Sequence, residues 1–250
     1  MHFQLLPGVI IRWTRLIPFH RLPEVLAEAP LPRIRKYIFD YFEAYAVAPV
    51  LEQVMREFNL SRDEAADAFR KLQDAHHISL VAGTTRILMA FPFSAVTTPF
   101  RTAVGERTYF ANCAWDAVAI HVALNKDTRI DSFCHHCASP IQVKVADMAA
   151  KSSNPKNPLV FLALPASKWW DNITNTCSNN MVFFSSAEHL DEWRSKSRTK
   201  GGAALTVDQT LRLSIPTYKQ KMHLDYARPG KEELTAWFES LGLTGSFWKL

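Results

Sequence analysis

The chain has 250 residues, a formal net charge of +5 and a composition that is 48% hydrophobic and 12% aromatic. These values are typical of a globular protein with a substantial core, and they exclude a disordered or fibrous chain. The positive charge is mild and scattered, so we do not expect a nucleic acid as a partner.

The cysteine content and the lengths of the apolar runs indicate where in the cell the protein is expected. Four cysteines in a chain of this length, and a beginning that lacks the pattern of a secretory signal, predict a reducing compartment. We therefore expect a cytoplasmic protein with free thiols. The longest apolar runs, such as residues 159–164, fall short of the roughly 20 residues that a membrane span needs, so no membrane partner is expected.

The first third of the chain predicts an irregular arm followed by a helical unit. Residues 1–32 predict the arm because prolines interrupt any long helix. Residues 33–92 predict a winged-helix-like unit of three amphipathic helices and a small hairpin. Ser61 and Glu64 have the spacing of a capping box at the start of the third helix. Acidic side chains alternate with the basic ones on that helix, which favours a cover for a catalytic core over a DNA-reading module.

The rest of the chain predicts a core and a tail. After a loop at 93–106, residues 106–218 predict a catalytic core with helices at 113–124 and 187–196. Its expected strands are 107–110, 128–133, 141–145, 159–164 and 181–184. Residues 219–250 predict a C-terminal helical tail with a helix at 232–241. The predicted fold class is α+β, in which a winged-helix-like three-helix unit precedes a mixed or antiparallel sheet core with flanking helices.

One group of residues indicates chemistry. Cys113 and Asp116 lie three residues apart in a predicted buried helix, which would put both side chains on one face. A carboxylate beside a thiol opposes formation of the thiolate, unless a cation binds between them or the carboxyl holds a proton. A soft metal ion would resolve that conflict. Cys177 lies in a polar stretch that predicts a loop, and it is a second candidate ligand. Alternatively, Cys113 is a small buried hydrophobe.

A second cysteine motif is ambiguous. Cys134 and Cys137 form a C-x-x-C that encloses His135 and His136. Such a pair is half of a tetrahedral zinc site, but the sequence has no second pair, so zinc at Cys134 and Cys137 is disfavoured. A redox pair is also disfavoured, because the motif follows a strand and precedes a proline instead of opening a helix. We expect one of these thiols to be a buried structural cysteine.

The ordered set of motifs resembles the organomercurial (alkylmercury) lyases, from about residue 34 to 215. The resemblance rests on residues 109–116, on residues 132–134 with Pro140, and on residues 177–185, which follow a three-helix unit. It implies that Cys113, Asp116 and Cys177 are the catalytic residues and contact mercury as substrate and product. It also implies that Cys134 is structural.

The resemblance further implies an activity. The enzyme would cleave a carbon–mercury bond by protonolysis, giving a hydrocarbon and a mercuric ion held by two cysteines, with no organic cofactor. Its role would be mercury detoxification and mercuric resistance, with external thiols or a mercuric reductase as the acceptor of the ion. Two alternatives stay open: a thiol enzyme acting on a metal-free organic substrate, and a thiol-based metal-binding regulator with a winged helix.

Overall fold

The structure is a computed structural model that describes residues 30–199 and 201–250. The arm predicted for residues 1–32 therefore lies outside the described residues, except for the last three, which begin the first helix. The helices are α1 (Pro30–Tyr45), α2 (Leu51–Phe58), α3 (Arg62–Asp74), α4 (Ala114–Leu124), α5 (Ile173–Asn180), α6 (Ala187–Lys196), α7 (Val207–Tyr218) and α8 (Lys231–Ser240).

The strands form three antiparallel sheets. In chain order they are β1 (Ser79–Leu80), β2 (Ile87–Ala90), β3 (Phe93–Ser94), β4 (Arg101–Val104), β5 (Arg107–Phe110), β6 (Thr128–Phe133), β7 (Pro140–Ala146), β8 (Ala149–Asn154), β9 (Leu159–Leu162), β10 (Met181–Phe184) and β11 (Ala203–Thr206). The sheet orders are β1-β2-β3, β5-β4-β6-β7-β8 and β10-β9-β11. The predicted α+β class with antiparallel sheets is thus confirmed.

The first helices follow from their sequence. The capping box predicted at α3 is confirmed, since the Glu64 carboxylate accepts hydrogen bonds from the Ser61 backbone N–H at 2.8 Å and from its hydroxyl at 2.7 Å. One face of α3 carries Ala65, Phe69 and Leu72, which are buried against α1 and α2. The division of the chain into domains stays a prediction.

Two predicted loops are wrong. The stretch 93–106 contains β3 and β4, and β4 is a central strand that pairs with both β5 and β6. Its short polar sequence carries little periodic signal, and pairing on both sides fixes its conformation instead. The polar stretch around Cys177 is the helix α5. Asn, Ser and Thr favour turns in isolation, and here the Asn172 side chain caps the helix by accepting the N–H of Asn175 at 3.0 Å.

Helix α4 is the centre of the core. All of its eleven residues are buried, because it packs against β4, β6, β10 and α7. A helix that is apolar on all sides belongs in such a position. Among the described residues, no helix is long and apolar enough to cross a bilayer.

Candidate active site

Cys113 is the N-cap of α4. Its backbone is extended, and its Sγ accepts the backbone N–H of Asp116 at 3.3 Å. The thiol and the carboxyl therefore meet in the first turn of the helix, as the spacing predicted. The first-turn N–H groups carry partial positive charge and stabilise negative charge on either group.

Three candidate ligands converge at this helix end. The Sγ atoms of Cys113 and Cys177 and a carboxylate oxygen of Asp116 all lie within 4.8 Å of one another. The three side chains are 1%, 3% and 2% exposed, in the order Cys113, Cys177 and Asp116. The Met181 thioether sulfur is 3.9 Å from the Cys113 Sγ. A single large, soft ion could contact both thiol sulfurs and the carboxylate at once.

Two polar side chains hold the Asp116 carboxylate. The Tyr218 hydroxyl donates to Oδ1 at 2.6 Å, and the Asn112 side-chain amide donates to Oδ2 at 3.0 Å. Burial nevertheless raises the pKa of Asp116 to about 6, because these hydrogen bonds offset only part of the cost of burying the charge. The carboxyl is thus poised to take up or release a proton near neutral pH.

The two thiols are protonated at rest. Burial raises the pKa of Cys113 well above its ordinary value, and its contact with Cys177 and the charge of Asp116 act in the same direction. For Cys177, the hydrogen bond with Cys113 lowers the pKa, but burial and the charge of Asp116 outweigh it and the net shift is upward. A metal must therefore displace the protons when it binds.

A cavity of about 70 Å³, partly open to solvent, leads to these groups. Its aromatic walls suit a small apolar or aromatic ligand. The aromatic residues that line it are Phe91, Trp115, Trp169, Trp170, Tyr218, Tyr226 and Phe238.

Cationic side chains form another part of the cavity wall. Lys221 is buried, and its pKa lies well below the ordinary value because of burial and the nearby charges of Arg35 and Arg228. Arg228 stacks over the Trp170 ring at 4.3 Å. Its Nη1 is buried without a hydrogen-bond partner among the described residues. The Arg228 guanidinium can attract an anionic group that enters the cavity.

Several of these residues escaped the sequence analysis. Tyr218 ends α7, a helix that was not predicted, and it reaches Asp116 across 102 positions of sequence. Lys221 and Arg228 fall in the predicted tail, where nothing linked them to the thiols. Asn112 is the one residue of this group that the sequence could have indicated, because it directly precedes Cys113.

The C-x-x-C lies apart from this site. Cys134 is fully buried, and Cys137 is exposed. Both belong to a separate group with His189. All four cysteines are free thiols.

The profile of the family described as alkylmercury lyase matches residues 93–219, which is just over half of the chain. This chain belongs to the alkylmercury lyase family. The resemblance inferred from the sequence is thus confirmed, and the matched segment contains Cys113, Asp116, Cys177 and Tyr218.

Relatives within the alkylmercury lyases are distant. Curated alkylmercury lyases from Bacillus cereus and Clostridium butyricum are each 25% identical over 118 residues. That alignment covers 47% of this chain and 52% of theirs, so the chain spans about half the length of the curated relatives it matches. The fold is similar to that in the crystal structure of the mercury-bound form of MerB2, with a TM-score of 0.62 and a sequence identity of 21%. The match covers 81% of this chain and 93% of the MerB2 chain. This alkylmercury lyase family member therefore has the same fold.

Proposed function

We propose that this alkylmercury lyase family member cleaves the carbon–mercury bond of organomercurials by protonolysis. The observation that carries the proposal is the convergence of two buried thiols and one carboxyl within 4.8 Å. Sulfur is the preferred ligand of soft metals, and a carboxyl with a pKa of about 6 can carry a proton between sulfur and carbon.

Binding is the first step. An organomercury cation, R–Hg⁺, bonds to the sulfur of Cys113 or Cys177, and the thiol proton passes to the Asp116 carboxylate. Metal binding makes this transfer favourable because a metal-bound thiol is far more acidic than a free one. The aromatic walls of the cavity hold the organic group R, and they keep water away from the bond that will break.

Cleavage is the second step. The other thiol releases its proton to the solvent, and its sulfur forms a second bond to mercury, which adds electron density and makes the attached carbon more carbanion-like. Asp116 delivers a proton to that carbon as a general acid, and the carbon–mercury bond breaks. In the balanced reaction, R–Hg⁺ and two thiols give R–H, a mercuric ion held by two sulfurs, and one proton.

The proposal extends to the fate of the mercuric ion, the cellular role of the protein and the function of its N-terminal helices. We propose that external thiols or a mercuric reductase remove the mercuric ion, and that the protein serves mercury detoxification and resistance in the cytoplasm. We also propose that α1–α3 with the sheet β1-β2-β3 form a winged-helix-like cover of the site. The order of three helices followed by a small antiparallel sheet supports that assignment.

The basic residues of α3 do not favour a nucleic-acid regulator. Arg62 pairs with Glu52 at 2.9 Å, and Lys71 pairs with Asp67 at 2.8 Å. These cations are therefore partly neutralised on the surface that would face DNA.

Product formation tests the proposal. Wild-type protein incubated with phenylmercury and excess small thiol is expected to release benzene, measured by gas chromatography. Cys113→Ser and Cys177→Ser should each abolish turnover, and Asp116→Asn should lower kcat by about 10²- to 10⁴-fold, the usual contribution of a positioned acid.

A matched control accompanies these variants. Asp63→Asn removes an exposed carboxylate on α3, so it should keep wild-type turnover. Absence of benzene from the wild type, or undiminished yields from Cys113→Ser and Cys177→Ser, would refute the proposal.

A further inference from the structure

A second group of metal-ligating side chains lies outside the active site. It consists of Cys134 and Cys137, in the turn between β6 and β7, and His189, in the first turn of α6. One candidate ligand atom from each of the three lies within 4.8 Å of the other two. The proposed lyase reaction uses none of them.

The geometry of the group matches a tetrahedral site. With Zn–S bonds of about 2.3 Å and a Zn–N bond of about 2.0 Å, a sulfur and a nitrogen ligand of one zinc ion lie about 3.5 Å apart. The Nδ1 of His189 is 3.6 Å from the Sγ of Cys134 and 3.4 Å from the Sγ of Cys137. Both distances are close to the sulfur–nitrogen edge of such a tetrahedron.

Hydrogen bonding alone does not account for the arrangement. The Nδ1 of His189 also lies 2.6 Å from the Ser185 hydroxyl, so three polar atoms approach one ring nitrogen. An imidazole nitrogen offers either one hydrogen or one lone pair, and it cannot serve three partners at once. A cation between the sulfurs and the nitrogen would bind both cysteines and the histidine together, and the Ser185 hydroxyl would then turn away from Nδ1.

The backbone around Cys134 is built for a thiolate. The N–H of Ser185 points at the Cys134 sulfur, with a nitrogen–sulfur distance of 3.4 Å. The turn that carries both thiols is closed by hydrogen bonds from the Cys134 N–H to the Ser139 carbonyl and from the Ala138 N–H to the Cys134 carbonyl, both at 2.8 Å. Such outer contacts orient metal ligands before the ion arrives.

We propose that Cys134, Cys137 and His189 bind one zinc ion. Two thiolates and one imidazole suit zinc, which accepts sulfur and nitrogen without changing oxidation state, and an exogenous ligand such as water completes the tetrahedron. Both thiols release their protons to the solvent on binding.

The zinc ion would join two sheets. The C-x-x-C turn joins two strands of the five-stranded sheet β5-β4-β6-β7-β8. His189 follows β10, which belongs to the three-stranded sheet β10-β9-β11. The His135 N–H already donates to the Phe183 carbonyl in β10 at 2.8 Å, across the same junction. Because β10 begins at Met181 beside the active-site thiols, the ion would stabilise the strand that borders the active site.

Metal titration tests this proposal. Protein stripped of metal with a chelator is titrated with zinc(II) against a chromophoric competitor, and with cobalt(II), whose visible bands report a tetrahedral site with thiolate ligands. The background is Cys113→Ser/Cys177→Ser, which removes the active-site thiols. We expect one equivalent of metal per chain in this background, and a rise in the midpoint of thermal unfolding when zinc is added.

Two further variants locate the ion. Adding Cys137→Ser or His189→Gln to that background should weaken zinc binding by more than about tenfold and remove the tetrahedral cobalt spectrum. Cys137 is exposed, so its replacement should leave the fold intact, as circular dichroism would verify. Unchanged zinc affinity in both variants, or no zinc binding in the Cys113→Ser/Cys177→Ser background, would overturn the proposal.

Discussion

At the scale of single residues, Asp116 determines what the site can do. It is a carboxyl in an apolar helix, and Tyr218 and Asn112 hold it by two hydrogen bonds. In the proposed reaction, its raised pKa would let it accept a proton from a thiol and return that proton to carbon, two roles that an ordinary carboxylate would combine poorly at neutral pH.

The raised pKa of Asp116 also predicts how stability depends on pH. Its pKa is about 6 in the folded protein and 3.8 ordinarily, so the folded state binds the proton more tightly than the unfolded state does. This stabilises the fold fully below pH 3.8, and the contribution is lost as the pH rises through 6. Asp116→Asn should therefore gain stability over wild type between pH 4.5 and pH 8, by about 2 kcal/mol, because about 1.5 pH units of that window lie below the folded pKa.

Urea unfolding of both proteins at the two pH values measures that effect. The matched control is Asp63→Asn, which makes the same substitution at an exposed carboxylate. A constant difference between Asp116→Asn and wild type would show that burial does not raise the pKa of Asp116.

The candidate catalytic residues could be predicted from the sequence better than the residues that hold them in place. The thiol–carboxyl spacing at Cys113 and Asp116 predicted a shared site because helix geometry is local. Tyr218 and Lys221 could not be predicted, since they reach the site only through the packing of α7 against α4.

At the scale of elements, strong local signals predicted structure well. Helices α4, α6 and α8 lie within one residue of their predicted bounds, because each has a long periodic pattern or a good cap. The errors fall where tertiary contacts override local preference. β4 becomes a strand through pairing on both sides, and α5 forms a helix from residues that usually favour turns.

Gly202 shows how one element depends on one small residue. Its φ is +107°, and a Cβ at this position would lie 2.4 Å from the Phe161 ring and 2.8 Å from the Leu162 carbonyl oxygen. Gly202→Ala should thus lower the free energy of unfolding by about 1–3 kcal/mol, through backbone strain and overpacking between β9 and β11.

Gly201 provides the control for this prediction. A Cβ there would meet nothing within 4 Å, so Gly201→Ala should change stability by less than about 0.5 kcal/mol. Denaturant unfolding compares the two variants, and equal stabilities would mean that β11 does not approach β9 as closely as the structure has it.

The segment after α7 should influence which substrates the site accepts. The Nη1 of Arg228 lacks a hydrogen-bond partner among the described residues, so it is available to a carboxylate on an arylmercury substrate. Such charged hydrogen bonds contribute about 1.5–3 kcal/mol, or roughly tenfold to a hundredfold in kcat/KM. Arg228→Met should therefore lower kcat/KM for para-mercuribenzoate by roughly tenfold to a hundredfold. The same substitution should change kcat/KM for phenylmercury little, because phenylmercury has no carboxylate.

Arg212→Met is the matched control, because Arg212 is an exposed arginine on α7. Steady-state kinetics with both substrates decides the question. An equal loss for the two substrates in Arg228→Met would assign Arg228 a structural role instead of contact with the carboxylate.

At the scale of the whole molecule, the site is assembled from distant parts of the chain. His76 and Phe91 reach the cavity from the N-terminal part, and the His76 ring stacks on Trp170 at 3.8 Å. Arg35 in α1 donates to the carbonyl oxygens of Lys221 and His223 near the other end. The family match at residues 93–219 supplies the thiols and the carboxyl, whereas the flanking segments complete the walls. Single-sequence patterns do not predict closure of this kind, because it depends on contacts between elements that are far apart in the chain.

In the proposed reaction, Cys113 and Cys177 bind one mercury atom together. X-ray absorption at the mercury edge tests it most directly, on protein mixed with one equivalent of phenylmercury and frozen after a single turnover. The wild type should show mercury with two sulfur neighbours and no carbon neighbour, and Cys177→Ser should show one sulfur with the carbon still attached. Wild-type mercury with a single protein sulfur, or a carbon-free mercury in Cys177→Ser, would contradict the account.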